Sequence, residues 1–184
     1  LHDPTGESHY DITSAFIKCM RDSDPDSALY WLARMIVGGE DPMFIARRMV
    51  IFASEDIGNA DLRALPVAIA CLQTIQSIGM PEGQLTLGQT CTYLSTAPKS
   101  NACTNAILEA IACAKRNGPL PVPINISNRK VGYKNPHNHP NALVQQPRWP
   151  EGLSPQRFYR PKSIGDEDTI QKRMLWWSQR RPKL

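Results

Sequence analysis

A chain of 184 residues, 41% of them hydrophobic, is long enough for one domain with a sizeable core. No run of eighteen apolar residues occurs, and the opening LHDPTGESHYD lacks the basic and then apolar layout of a signal peptide, so a soluble, cytoplasmic protein with no membrane partner is expected. The formal charge of +4 hides a division: residues 1–118 carry 9 Lys and Arg against 13 Asp and Glu, a net of −4, whereas 119–184 carry 12 against 4, a net of +8.

The first two thirds of the chain are punctuated at nearly constant intervals. Gly38-Gly39, Gly58, Gly79, Pro98 and Gly118-Pro119 each interrupt a run of about twenty residues whose apolar positions follow a helical period. In chain order, SHYD (8–11) and SDPD (23–26) have the spacing of a capping box, and Asp41-Pro42 sets a capping acid before a proline at the first helical position. Leu29, Leu32, Ala33 and Ile36 form one stripe; Ile45, Met49, Phe52 and Ala53 form the next. Pro66 is awkward, lying either in the first turns of the fourth helix or shifting its start toward Leu65. Met80-Pro81-Glu82 again offers proline at a helix start, and Ser100 is a natural N-cap. Cys103, Ile107, Ala110, Ile111 and Ala114 make a stripe of mainly small residues that lets two helix axes approach closely. The fold class read from this pattern is all-α, an antiparallel array of about six helices joined by short turns. The five cysteines (Cys19, Cys71, Cys91, Cys103, Cys113) fall within the helical patterns and read as small core residues, with no zinc site or disulfide.

After Gly118 the texture changes to a proline- and asparagine-rich segment with Trp149, Phe158 and Tyr159, expected to wrap on the helical body. The division expected is residues 1–118 as helical body and 119–184 as a basic wrapping segment of the same structural unit. A last helix is expected from about Asp166 to Arg180, its acids before its bases as the helix dipole favours, with Ile170, Met174 and Trp177 as its apolar face.

Chemistry is scarce. The chain has no G-x-x-x-x-G-K-[ST], G-x-G-x-x-G or G-x-S-x-G motif, and its acidic pairs Glu40-Asp41 and Glu55-Asp56 sit at helix ends, where carboxylates cap. Residues 137–139 spell HNH, but His137 and His139 stand two apart between prolines with no cysteine or carboxylate near, and they read as a structural loop and not a metal site. No catalytic residue and no cofactor is assigned to this chain. The basic segment, with rings among its cations, has the composition of a nucleic-acid surface, and the candidate contacts are Lys130, Lys134, Arg148, Arg157, Arg160 and Lys162. Lys99 and Ser100, at a helix start, form a second candidate anion site beside the plainer reading of a cap. The competing reading of the basic segment is intramolecular, with its cations facing the acidic first part of the chain.

Three stretches carry a family resemblance: SHYDITSAFIKCMRDSDPDSALYWLARMIVGGEDPMFIARRMVIFASEDIGNAD (8–61), GMPEGQLTLGQTCTYLSTAPKSNA (79–102) and LPVPINISN (120–128), followed by GYKNPHNHP, Gln145-Gln146, FYRP and the closing helix with Arg173 and Trp177. They resemble the C-terminal part of the replication-associated recombination protein A family of AAA+ ATPases, also called MgsA, whose eukaryotic counterpart is the Werner helicase interacting protein. The resemblance implies a helical domain similar to the collar domains of clamp-loader subunits, which assembles ATPase subunits into a homotetramer and does no catalysis itself. It implies ATP and Mg in a separate ATPase module. It also implies a nucleoid-associated role at DNA ends and stalled forks, with single-strand-binding protein as a partner. Candidate interface residues are Tyr30, Trp31, Leu85, Leu87 and Leu94, apolar positions beyond those one core needs. Two departures stand out. Only Arg129, Lys130 and Val131 separate Asn128 from Gly132 where the family has a longer stretch, which reads either as a real deletion or, by preference, as a mobile loop missing at that point, and Asn138 stands where the family loop commonly has aspartate.

Overall fold

The computed structural model describes residues 7–129 and 131–181. Among these the chain is all-α, with no strand: α1 (Glu7–Arg21), α2 (Pro25–Val37), α3 (Pro42–Phe52), α4 (Ala64–Ile78), α5 (Gly83–Thr96), α6 (Ala102–Asn117) and α7 (Gly165–Arg180). A π turn (Ala53–Ile57) and a 3-10 turn (Gly58–Ala60) prolong α3, and three more 3-10 turns (Ile124–Ile126, Pro136–Asn138, Pro140–Ala142) punctuate the long connection before α7.

Local chemistry explains most of the boundaries. The Asp24 carboxylate accepts from the amides of Asp26 and Ser27 at 3.2 and 3.1 Å, and Pro25 fills the first helical position, where its missing N–H costs nothing. Those amides hold the Asp24 carboxyl below its ordinary range, Ser27 foremost. Asp41 caps α3 in the same way, accepting from Met43 at 2.9 Å. Pro66 lies in the first turn of α4, where its lack of a donor is tolerated.

Three expected starts move. Helix α1 is already running at Glu7, so SHYD lies inside it and is not its cap; Ser23, at φ +61°, precedes the true cap Asp24; and α5 begins at Gly83, not at Pro81. At Gly83 the two helices run close, and a Cβ there would lie 2.7 Å from Ile75 Cδ1 of α4, so that the isoleucine tip would have to shift.

Helices α1–α5 form one bundle around Phe16, Met20, Leu32, Ile45, Met49, Phe52, Ile57 and Leu87. Helix α5 lies at its centre, in contact with α1, α2, α3 and α4. It buries Leu87, Thr90, Cys91, Leu94 and Ser95, one face at helical spacing, while Gln84, Leu85, Gln89 and Thr96 on the other face stay exposed. Leu87 and Leu94 are thus core residues of the chain itself and are lost as interface candidates, because no surface of theirs is left for a second subunit. Polar ties lock the bundle's end: Arg21 of α1 grips the buried Asp56 of the π turn at 2.6 and 3.1 Å, and Tyr93 and Arg63 both donate to the buried Asp61. Burial alone would push the Asp61 carboxyl up, but the hydrogen bonds from Arg63 and Tyr93 win and hold it below the usual carboxylate range.

Candidate functional surfaces

Helix α6 stands apart from the bundle. Its principal contacts among the helices and turns are with the π turn and the 3-10 turn after α3. Of its sixteen residues only Ala102 and Cys113 are buried. Its apolar face is open: Ile107 is 57%, Leu108 60% and Ile111 43% exposed. On one side a groove of about 660 Å³ runs between Cys103, Thr104 and Ile107 and the end of α3, where Val50, Ile51 and Glu55 form the other wall. On the other side a groove of about 360 Å³ is lined by Asn59, Ala106, Ala110 and Tyr159, and again by Cys103 and Ile107, which join the two. The stripe of small residues foreseen for close helix packing is present, but among the described residues no helix packs along it. Sequence had marked this face and assigned it no partner; its exposure was the missing signal.

What holds α6 in place is mainly polar. Thr104 Oγ1 donates to the Glu55 carbonyl at 3.0 Å, Arg160 donates to both Glu109 carboxylate oxygens at 2.9 and 2.8 Å, and Lys162 Nζ donates to Asn101 Oδ1 at 2.8 Å. Two of the candidate nucleic-acid contacts, Arg160 and Lys162, therefore turn back onto the helical body, as the intramolecular reading of the basic segment requires. Lys99 does the same: its ammonium donates to the carbonyls of Ser95 and Ala97 at 2.8 and 2.6 Å and to Ser23 Oγ at 3.2 Å. Burial lowers its pKa, against the pull of Asp56. Its neighbour Ser100 is buried, its Oγ accepting from the Ala102 amide at 3.3 Å. Lys99 thus closes the C-terminus of α5, and the pair offers no open anion site. Arg148 donates to the Val144 carbonyl at 3.2 Å, whereas Lys134 and Arg157 are exposed with no side-chain partner among the described residues. Lys130 lies outside the described residues.

Residues 133–140 form an ordered loop. Asn135 Oδ1 caps the 3-10 turn by accepting from the His137 amide at 3.1 Å, and the Gln146 side chain clasps the Lys134 backbone through both its amide and its carbonyl at 3.1 Å. Among the described residues no group of three or more His, Cys, Asp or Glu gathers as metal ligands would.

Helix α7 is anchored by its first turns. Gly165, at φ +53°, sits so close to the body that a Cβ would lie 2.1 Å from the Ala60 carbonyl oxygen. Asp166 accepts from the Leu62 amide at 3.1 Å. Glu167 is fully buried, one oxygen accepting from Tyr159 Oη at 2.9 Å while Asn59 donates to the same Oη at 3.2 Å; its other oxygen has no partner among the described residues. Burial and the facing Glu167 carboxylate push the Tyr159 phenol up to about 12. Of the expected apolar face only Ile170 and Met174 turn inward; Trp177 is exposed, because the body ends before the helix does. Of the interface candidates that remain, Tyr30 and Leu85 are exposed and Trp31 is half-buried under the Arg34 guanidinium.

The family model described as MgsA AAA+ ATPase C terminal matches residues 22–178. The chain belongs to the MgsA AAA+ ATPase C-terminal family. Among MgsA relatives, it is 46% identical to an AAA domain-containing protein of Mycobacterium tuberculosis over 94% of this chain and 40% of that protein. It is 38% identical to the replication-associated recombination protein A of Escherichia coli K12 over 95% of this chain and 41% of that protein. The ATPase WRNIP1 of Dictyostelium discoideum is 37% identical over 88% of this chain and 20% of that protein. The chain thus spans well under half the length of these relatives.

Proposed function

We propose that this MgsA-family chain is the assembly domain of an AAA+ ATPase acting in DNA replication and recombination, and that the open face of α6 is where its copies meet. The carrying observation is a sixteen-residue helix with only two buried residues, whose apolar side chains Ile107, Leu108 and Ile111 are open to solvent. A helix of this length is marginal in water by itself and draws its stability from burying such a face. A second copy suits the face, because the small residues Ala106, Ala110 and Ala114 allow another helix axis to within about 8–10 Å. The resemblance to the family supports four copies, non-catalytic by themselves, with ATP and Mg held by an ATPase module on the same polypeptide. DNA ends or forks, and single-strand-binding protein, are the partners of the assembled protein in this reading, and the bacterial nucleoid its place of work.

The test is the mass of the chain in sedimentation across a dilution series at two salt concentrations. A tetramer resistant to dilution is expected for the parent. Ile107→Asp, which sets a charge in the middle of the apolar face, should shift dissociation at least tenfold toward monomer while helicity stays unchanged. A parent that is monomeric at micromolar concentration, or an Ile107→Asp variant that assembles like the parent, overturns the proposal.

A further inference from the structure

The outer end of α7 is unexplained by assembly through α6. From Leu175 to Arg181 every residue is exposed, including Trp176 at 39% and Trp177 at 43%. With Thr169, Lys172 and Arg173 these two indoles line a groove of about 440 Å³ built wholly from α7 side chains. Two adjacent tryptophans, each about two-fifths exposed, leave an apolar area open to solvent at the end of the helix.

The charge around the rings is one-sided. Lys172, Arg173, Arg180 and Arg181 lie along the last turns, and Asp168, bound to Lys172 at 2.6 Å, is the only acid of α7 beyond its anchored first residues. Among the described residues Arg173 and Arg181 make no side-chain hydrogen bond or ion pair, while Arg180 reaches only the Trp176 carbonyl, at 3.5 Å. From the connecting segment Arg148 adds another cation; its pKa is lowered by burial and then by the charge of Arg181, the sign of two guanidiniums brought together without an acid between them. The Arg180 guanidinium stacks over the Trp176 ring at 4.4 Å from its centroid, a contact that a base would have to replace or extend.

We propose that the last two turns of α7 are a binding site for single-stranded nucleic acid, in which Trp176 and Trp177 stack on bases while Lys172, Arg173, Arg180 and Arg181 meet the phosphates. Exposed rings interleaved with cations match a ligand that alternates flat apolar faces with negative charge. A duplex shows its phosphates but hides its base faces, which leaves the tryptophans unused. A second copy of this chain is disfavoured as the occupant, because it would set one group of unpaired cations against another. The site goes beyond the assembly proposal and does not depend on it.

The experiment titrates the chain with a twenty-nucleotide oligo-dT at low salt and follows tryptophan fluorescence. Quenching is expected, with an affinity that falls on a log-log plot against salt by about 0.7 per phosphate contact, thus by a slope of roughly 2 to 3 for three or four contacts. Trp176→Ala and Trp177→Ala should each weaken binding about tenfold, Arg173→Glu and Arg180→Glu at least as much, and Lys18→Glu, the same charge change on exposed α1, less than twofold. Circular dichroism of each variant guards against unfolding. Ile107→Asp separates the two proposals: if assembly fails, affinity falls through lost multivalency while quenching at saturation persists. Absence of quenching at low salt, equal affinity for a duplex of the same length, or indifference to all four α7 variants would each sink the proposal. So would burial of Trp176 and Trp177 on self-association alone, with no oligonucleotide present.

Discussion

Helices α5 and α6 are neighbours in sequence and alike in length, at fourteen and sixteen residues, yet they are held by opposite means. Helix α5 lies amid four other helices and is fixed by what it buries; α6 lies on two short turns and is fixed by Thr104, by the Arg160 pair with Glu109 and by Lys162 on Asn101. Both sequences carry apolar residues at helical spacing. The comparison teaches that the period of a stripe says which way a helix wants to face, and says nothing about whether the covering surface belongs to the same chain.

The largest effect should come from α5. Leu94→Ala removes a fully buried side chain and should cost about 2–5 kcal/mol in chemical denaturation, whereas Ile107→Ala on α6 should leave the unfolding of the monomer within about 0.5 kcal/mol. Equal losses at the two positions would abolish the distinction. Next in size is Gly165→Ala, which meets both the positive φ and the Ala60 carbonyl; at least about 1–3 kcal/mol is expected. Hydrogen exchange should show α6 and α7 loosening before α5.

A pH series sharpens the same contrast. The Tyr159 phenol is raised from its ordinary 10.0 to about 12, so the folded state favours its protonated form. Its contribution is fully present below pH 10 and is lost as pH climbs from 10 toward 12. Phenolate absorbance should therefore appear late for this tyrosine, and Tyr159→Phe should flatten the stability profile within that window only. The smallest effect belongs to Arg160 and Glu109, both about half exposed; a double-mutant cycle should return less than about 1 kcal/mol, and less again in high salt.

How much of this was legible in the sequence follows from the range of each interaction. The starts of α2 and α3 could be read because Asp24-Pro25 and Asp41-Pro42 act on amides two or three residues away. Gly38, Gly79 and Gly118 marked helix ends for the same local reason. Lys99 could not be read, since its site as a cation within carbonyls depends on the turn that Ala97 and Pro98 make and on Ser23, seventy-six residues earlier. Leu87 and Leu94 looked like surplus apolar positions because nothing local reveals that the other four helices of the bundle cover this face of α5. Trp177 matched the period of a buried face, and only the limited reach of the body leaves it in water. The net basic charge of the last third was plain, but not its partition: Arg160 and Lys162 turn inward while the α7 cations stay open.

The anchorage of α7 has a mechanical consequence. Residues 165–174, about 15 Å of helix, carry every side chain of α7 that turns toward the body, and the six that follow stand clear for about 9 Å. Whatever loads the free end cannot bend it cheaply, so the torque passes to the foot of the helix, where Glu167 meets Tyr159 and Tyr159 meets Asn59. Those last two side chains are also the wall of the groove beside α6. The foot of the helix and the groove beside α6 therefore share two side chains, and a substitution at Asn59 or Tyr159 would touch both.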